Sequence, residues 1–204
     1  MELRTARLQI RDWAPMQDAA AAIAIYGDPA VTRWLGNGGR DESLAAVRSQ
    51  LERYRDRAQN GLGCWAVVEQ QAHCVIGTVL LVPLPSAAGT PSGHIEIGWH
   101  FRPASWGHGF ATEAAQAVLA YGFEVLRLPA IYAVAWPDNQ RSMGVMQRLG
   151  MTDQGLSRNY YSGREPQVYR RLRPPEGQAQ GPRTTGLSRL DGGSNPNGCI
   201  EIDC

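Results

Sequence analysis

The stretch Trp106-Gly107-His108-Gly109-Phe110-Ala111 constrains this chain more than any other. Residues 94–101 before it (His-Ile-Glu-Ile-Gly-Trp-His-Phe) alternate and carry β-formers, which predicts a strand. Residues 111–126 after it place Ala111, Ala114, Ala115, Val118, Gly122 and Leu126 at helical spacing, which predicts an amphipathic helix. Gly107 and Gly109 let the backbone turn sharply and approach a ligand, because they lack Cβ. The first N–H groups of a helix have no internal partner and sit at its positive end. The turn therefore suits a phosphate or pyrophosphate, or is a plain structural turn. The third glycine of a dinucleotide fingerprint would fall on Thr112, and no Gly-Lys-Ser/Thr follows, so neither a Rossmann nor a P-loop site fits.

The same plan repeats just downstream. Residues 130–136 (Ala-Ile-Tyr-Ala-Val-Ala-Trp) predict a strand, Pro137-Asp138-Asn139 a turn and N-cap, and residues 140–149 a helix closed by Gly150. In order and spacing these pieces resemble the GNAT superfamily of acyl-CoA-dependent N-acetyltransferases, above all the branch with the ribosomal-protein N-terminal acetyltransferases. The residues that carry the resemblance are Leu3-Arg4-Thr5-Ala6-Arg7-Leu8-Gln9-Ile10-Arg11, Glu96-Ile97-Gly98-Trp99, Trp106 through Ala114, Asn139-Gln140-Arg141-Ser142 and Arg148-Leu149-Gly150-Met151. It covers about residues 3–173. It implies an α/β (α+β) fold with a mixed, mostly antiparallel central sheet, splayed parallel central strands and helices on both faces. It implies transfer of the acetyl group from acetyl-CoA to a primary amine by direct attack in a ternary complex, with no metal.

Such an enzyme has three tasks. Holding the thioester falls to the backbone N–H groups of about Gly107 to Ala111, with coenzyme A contacts implied from Gly98, Trp99, His100 and Phe101, from Trp106, Gly107, His108, Gly109, Phe110, Ala111 and Thr112, and from Asn139 and Ser142. Trp106 stands where most of the superfamily carries Gln or Arg, as it does in the ribosomal-type branch. Gly98 lies where the family strand commonly bulges, exposing main-chain groups to the pantetheine arm and the thioester carbonyl. Delivering a neutral amine needs a base near the thioester, because an ammonium has no lone pair. Glu96 is the candidate, against the alternative of a structural hydrogen bond; His94 and His100 share its face by period-two counting. Protonating the departing thiolate falls to a Tyr in many family members, but here that position is Met146, which cannot donate. Ser142, one helical turn after Asn139, matches the Ser used in the ribosomal-type branch, and the resemblance implies the acid role for it. Asn139 binds the coenzyme arm, caps its helix, or does both, and Glu113 favours the helix dipole.

In chain order, residues 3–11 alternate as a first strand. Pro15 through Tyr26 predicts a helix with Ile23 on the face of Ala19 and Tyr26, broken at Gly27-Asp28-Pro29. Asp41-Glu42-Ser43 opens a second helix to about Ala58, with Leu44, Val47, Leu51 and Tyr54 on one stripe and a charged opposite face. Trp34, in the Gly-rich link 33–40, is a candidate substrate wall or a core anchor. Residues 63–70 and 74–82 predict an antiparallel hairpin, and Pro83 through Ser92 a loop bordering the acceptor site. Residues 152–161 and 164–172 resemble the family's last hairpin, turning at Gly163. Residues 1–173 then form the catalytic domain. From Pro174 onward 10 of 31 residues are Gly or Pro, a composition too poor in large apolar side chains to offset ordering entropy, so 174–204 is expected to be a flexible tail.

The net charge of +1 gives no case for nucleic acid or an anionic membrane, and no run reaches the ~18 apolar residues of a membrane helix. The N-terminus lacks a signal-peptide apolar region, which points to the cytoplasm. Cys64, Cys74, Cys199 and Cys204 show no zinc spacing; Cys64 and Cys74 fall in neighbouring predicted strands, and free thiols are expected there. A homodimer is left open. Two functions stand at this point: an acetyl-CoA-dependent N-acetyltransferase acting on a peptide N-terminus or a small-molecule amine, and a catalytically silent GNAT-like module that binds acyl-CoA as sensor or scaffold.

Overall fold

Along residues 63–69, Trp65 and Val67 turn to one core cluster while Ala66 and Val68 turn to another, and all four are buried. A strand apolar on both sides belongs in a sheet covered on both faces, and helices supply the covers. The computed structural model describes residues 1–36, 38–40, 43–161 and 164–175. Its elements are β1 (Glu2–Arg4), β2 (Leu8–Arg11), α1 (Pro15–Tyr26), α2 (Pro29–Thr32), α3 (Leu44–Asp56), β3 (Gly63–Glu69), β4 (Cys74–Pro85), β5 (Pro91–Phe101), a 3-10 turn at Pro103–Ser105, α4 (Phe110–Glu124), β6 (Ala130–Ala135), α5 (Gln140–Arg148), β7 (Thr152–Leu156) and β8 (Gln167–Leu172).

These strands form one sheet in the order β1-β2-β3-β4-β5-β6-β8-β7. Every pairing is antiparallel except β5 with β6, which is parallel and registers at a single pair, Glu96 with Tyr132. The mixed sheet with its splayed central strands is therefore present. Leu119 and Phe123 of α4 and Val145 and Met146 of α5 pack on one face with Leu81, Ile97 and Ile131. Ala22, Ile25 and Tyr26 of α1 and Val47 and Leu51 of α3 pack on the other with Trp13 and Val75.

Local chemistry sets the ends of the helices. Asp28 Oδ1 accepts from Ala30 N at 2.8 Å, Ser43 Oγ from Ala46 N at 3.1 Å, and Asn139 Oδ1 from Ser142 N at 3.2 Å. Helix α5 stops in a Schellman motif: Gly150 N donates to Gln147 O at 2.9 Å and Met151 N to Met146 O at 3.1 Å, with Gly150 at φ +66°. Buried Asp18 in the first turn of α1 accepts both arms of Arg11, at 2.7 and 2.8 Å.

Several expectations need correction. Residues 3–11 are not one strand but the hairpin β1–β2, closed by Thr5, whose N–H donates to Leu8 O and whose hydroxyl accepts from Leu8 N, both at 2.9 Å. The segment 83–92 is not a loop: β4 runs to Pro85 and β5 starts at Pro91, with a register shift between Pro83 and Pro85 that tolerates proline in the ladder. Gly98 is not at a bulge, because β4 and β5 stay in register through it, and the Leu80 side chain leans over the space a Cβ would occupy. The buried face of α1 is Ala19, Ala22, Ile25 and Tyr26, with Ile23 half-buried, and Leu44 of α3 is exposed. The strand expected over 152–161 ends at Leu156. Cys64 pairs in register with Leu80 and Cys74 with Glu69, so these thiols sit at opposite ends of their hairpin. Asp41, Glu42, Gly163, Cys199, Cys204 and all of the expected tail beyond Pro175 lie outside the described residues.

Candidate active site

Parallel strands that pair once and then separate leave a wedge between them. Here β5 and β6 part beyond Glu96 and Tyr132, and a cleft of about 620 Å³ opens at their C-terminal ends. Trp99, His100 and Phe101 of β5 border it on one side, and Asn139, Ser142 and Val145 from the start of α5 on the other. Trp106, Gly107, Gly109, Phe110, Ala111 and Thr112 close one end, and Val31, Trp34 and Leu35 line the wall after α1.

The glycine turn is fixed at its base. Trp106 Nε1 donates to Phe101 O at 2.7 Å, and Arg102 Nε donates to Ser105 Oγ at 3.2 Å. Gly107 and Gly109 both take left-handed φ, +83° and +81°, which costs an L side chain about 1–2 kcal/mol. The first bond of α4 runs from Glu113 N to Gly109 O at 3.0 Å, so the N–H groups of Phe110, Ala111 and Thr112 precede it and remain available. A Cβ at Gly107 would meet nothing within 4 Å: the turn faces open space. Arg141, stacked 4.7 Å over Trp106, and Arg148, donating from Nε to Thr112 Oγ1 at 3.2 Å, also border the cleft. Among the described residues neither is in an ion pair. Free N–H groups and two guanidiniums without a carboxylate partner among the described residues form a donor set that fits phosphate oxygens.

Glu96 sits at the pivot where the strands part and is only 6% exposed. Burial pushes its carboxyl up to about 7, and the one hydrogen bond acting against this comes from Tyr161, whose hydroxyl donates to Oε2. The Tyr161 ring stands edge-on to Trp136 at 6.5 Å, and Arg164 lies over Trp136 at 3.9 Å. Arg164 Nη1 reaches back to Gly36 O at 3.5 Å, tying the β7–β8 connection to the segment that carries Trp34. Burial pushes His100 down to about 4, so its imidazole is neutral at pH 7; Tyr26, whose hydroxyl lies 2.6 Å from Thr78 Oγ1, packs edge-on to it. His94 is engaged elsewhere, stacked on Tyr132 at 4.3 Å with Nδ1 2.9 Å from Tyr160 Oη. Cys64 is half-buried, and burial lifts its thiol to about 12, far from thiolate chemistry.

Of the residues picked out in the sequence, Trp34, Trp99, His100, Phe101, Trp106, Gly107, Gly109, Phe110, Ala111, Thr112, Asn139 and Ser142 converge on this cleft. Glu96, Gly98 and His108 are not among its lining residues; the His108 side chain is exposed, and Glu96 lies deeper, at the junction of the strands. Trp34 is half-buried in a turn after α2 rather than free in a loop. Met146 is 1% exposed and belongs to the core. Glu113 is more than a dipole partner: it is ion-paired to Arg7 at 2.6 Å. Sequence reasoning used Arg141 and Arg148 only as carriers of the resemblance, without a place at the cleft, and did not single out Tyr161. The spacing of seven from Arg141 to Arg148 puts both on one side of α5, which was open to inspection. Nothing local marks Tyr161.

The open β-wedge with a glycine turn at the foot of a helix is a cleft whose donors suit a phosphate-bearing ligand, and comparison with known proteins supplies the family. The family model described as an acetyltransferase (GNAT) domain matches residues 7–152, and the chain belongs to this family of acetyltransferases. It is 31% identical over 179 residues to the uncharacterized N-acetyltransferase YoaA of Bacillus subtilis (strain 168), covering 85% of this chain and 98% of that protein. The structure of a GNAT-family acetyltransferase from Bacillus anthracis superposes with a TM-score of 0.71 at 24% identity, over 85% of this chain and 99% of that one. A ribosomal-protein-S5-alanine acetyltransferase from Vibrio fischeri shares the fold at 18% identity, with a TM-score of 0.66 over 85% of this chain and 97% of that one.

Proposed function

We propose that this chain moves the acetyl group of acetyl-CoA to a primary amine by direct attack within a ternary complex. The observation that carries this reading is a cleft opening where β5 and β6 part, bordered by a turn of free helix N–H groups, with the buried carboxyl of Glu96 deeper at the junction of the strands. The N–H groups of the 107–112 turn hold the diphosphate, and Arg141 and Arg148 add charge. Beyond Glu96 the β6-facing edge of β5 has no ladder partner among the described residues, which leaves main-chain groups for the amide-rich arm and the thioester carbonyl. Asn139 Oδ1 caps α5, and because the residue also borders the cleft its amide is assigned to the coenzyme arm as well.

Glu96 takes the proton from the incoming ammonium, directly or through water. A carboxylate titrating near 7 matches the operating pH, as general-base catalysis requires. Tyr161 holds the accepting carboxylate. Ser142, half-buried in the first turn of α5, gives a proton to the departing thiolate, aided by the positive end of that helix. The acceptor is a protein N-terminus, as the branch resemblance suggests, or a small-molecule amine reaching Glu96 past Trp34. The reaction runs in the cytoplasm, where the thiols of Cys64 and Cys74 stay reduced, with residues 1–173 as the catalytic domain.

A silent acyl-CoA-binding module is the second reading, favoured by Met146, whose side chain is sealed in the core and supplies no proton. Thiol release from acetyl-CoA, measured with peptides, polyamines and aminoglycosides, separates the two. Amine-dependent release supports the enzyme. Coenzyme A binding without release across the panel leaves the silent module. Absence of coenzyme A binding by folded protein overturns both.

A further inference from the structure

The N-terminal motif Thr5-Ala6-Arg7 is far in sequence from the cleft, yet it grips the glycine turn. Arg7 N donates to Glu113 Oε1 at 3.0 Å, its Nε to Glu113 Oε2 at 2.7 Å, and its Nη2 lies 2.6 Å from the same Oε2. Thr5 Oγ1 adds a bond to Oε1 at 2.6 Å. The remaining arm, Nη1, donates to His108 O at 3.0 Å, and the guanidinium lies 4.6 Å over the Phe110 ring. One side chain thus touches the helix's first turn, the carbonyl between the two glycines, and the ring that opens the helix.

We infer that Arg7 is a positioning residue for the acyl donor's diphosphate, acting from the β1–β2 turn through the backbone of the glycine turn. This rests on the coenzyme A reading above. Two physical steps support it. The peptide between His108 and Gly109 is trans, so its C=O and N–H point in opposite directions. The carbonyl is held toward Arg7, which is not among the cleft's lining residues, whereas Gly109 is, so the Gly109 N–H is turned to the side opposite Arg7. With glycine on both sides of His108, nothing in the turn's own side chains restricts that peptide, and Arg7 supplies the restriction. The second step is charge. Glu113 stands in the first turn of α4, where a bare carboxylate would repel a diphosphate. Burial works against its ionisation, but the bonds from Thr5 and Arg7 outweigh that and hold the group below the usual carboxylate range. Arg7 therefore both aims a donor and cancels a repulsion.

The test uses the full chain with coenzyme A as the probe, comparing wild type, Arg7→Met, Arg7→Lys and Arg7→Met/Glu113→Gln by calorimetry, with the thermal midpoint of the unliganded protein measured in parallel. Arg7→Met is expected to weaken binding roughly tenfold, by removing a charged hydrogen bond and stranding Glu113. Arg7→Lys keeps the charge but not the fork, and loses roughly threefold. The double variant recovers part of the Arg7→Met loss. Wild-type affinity in Arg7→Met overturns the inference and leaves the coenzyme A reading intact. A loss that follows the thermal midpoint and is unrelieved in the double variant marks a structural clip and also overturns it. Failure of wild type to bind coenzyme A defeats the underlying reading, and the inference with it.

Discussion

Glu96 is buried with a carboxyl that titrates near 7, and this couples stability to activity. Its folded-state value lies above the unfolded one, so the native state holds the proton more tightly. The stability it contributes is complete below about 4.5 and is lost as pH rises through about 7. Glu96→Gln, which keeps an acceptor for Tyr161, is therefore expected to be more stable than wild type at pH 8 by roughly 2 to 3 kcal/mol and similar to it at pH 4.5, as read by chemical denaturation. The same variant is expected to lose about 10²- to 10⁴-fold in turnover together with the acidic limb of the rate profile. Tyr161→Phe removes the hydrogen bond that holds the carboxyl down, so the acidic limb of kcat/KM moves to higher pH. That meeting was not legible in the sequence: Tyr161 and Glu96 are 65 residues apart, on elements with no shared period.

At the scale of elements, what local chemistry dictates was readable and what distant partners dictate was not. Helix α5 was legible end to end, because Asn139 and Gly150 act within one turn of themselves. Gly150→Ala puts a side chain at φ +66° and is expected to cost about 1 kcal/mol in thermal or denaturant unfolding. The strand, turn and helix around Gly109 were legible for the same reason. The β1–β2 hairpin was hidden because Thr5-Ala6-Arg7 contains no Gly, Asn or Pro. Its turn is closed by the Thr5 side chain and by Glu113, 106 residues beyond Arg7. Residues 83–92 misled in the opposite direction: prolines and small residues there look like a loop, while Leu84 is fully buried and Ser92 Oγ donates to Leu84 O at 2.7 Å.

For the whole molecule, the individual strands and helices were readable from their apolar patterns, while the sheet with its two covered faces came from the family resemblance; the two core clusters that fill those faces both draw on β3. Leu81 is fully buried beneath α4, and Leu81→Ala is expected to cost about 2–5 kcal/mol, which thermal unfolding would show as a lower midpoint. The divergence of the sheet was accessible only by analogy, because nothing in the residues of β5 or β6 states how many of their pairs will form. That divergence has a kinetic signature. Strands β1 to β5 and strands β6 to β8 are two blankets whose facing strands, β5 and β6, pair in register at one position, Glu96 with Tyr132. Deuterium should therefore enter β5 unevenly, slowly at amides bonded to β4 and quickly at those beyond residue 96 that look across the gap. Adding the acyl donor should slow the fast set alone, as its pantetheine arm becomes the missing thread.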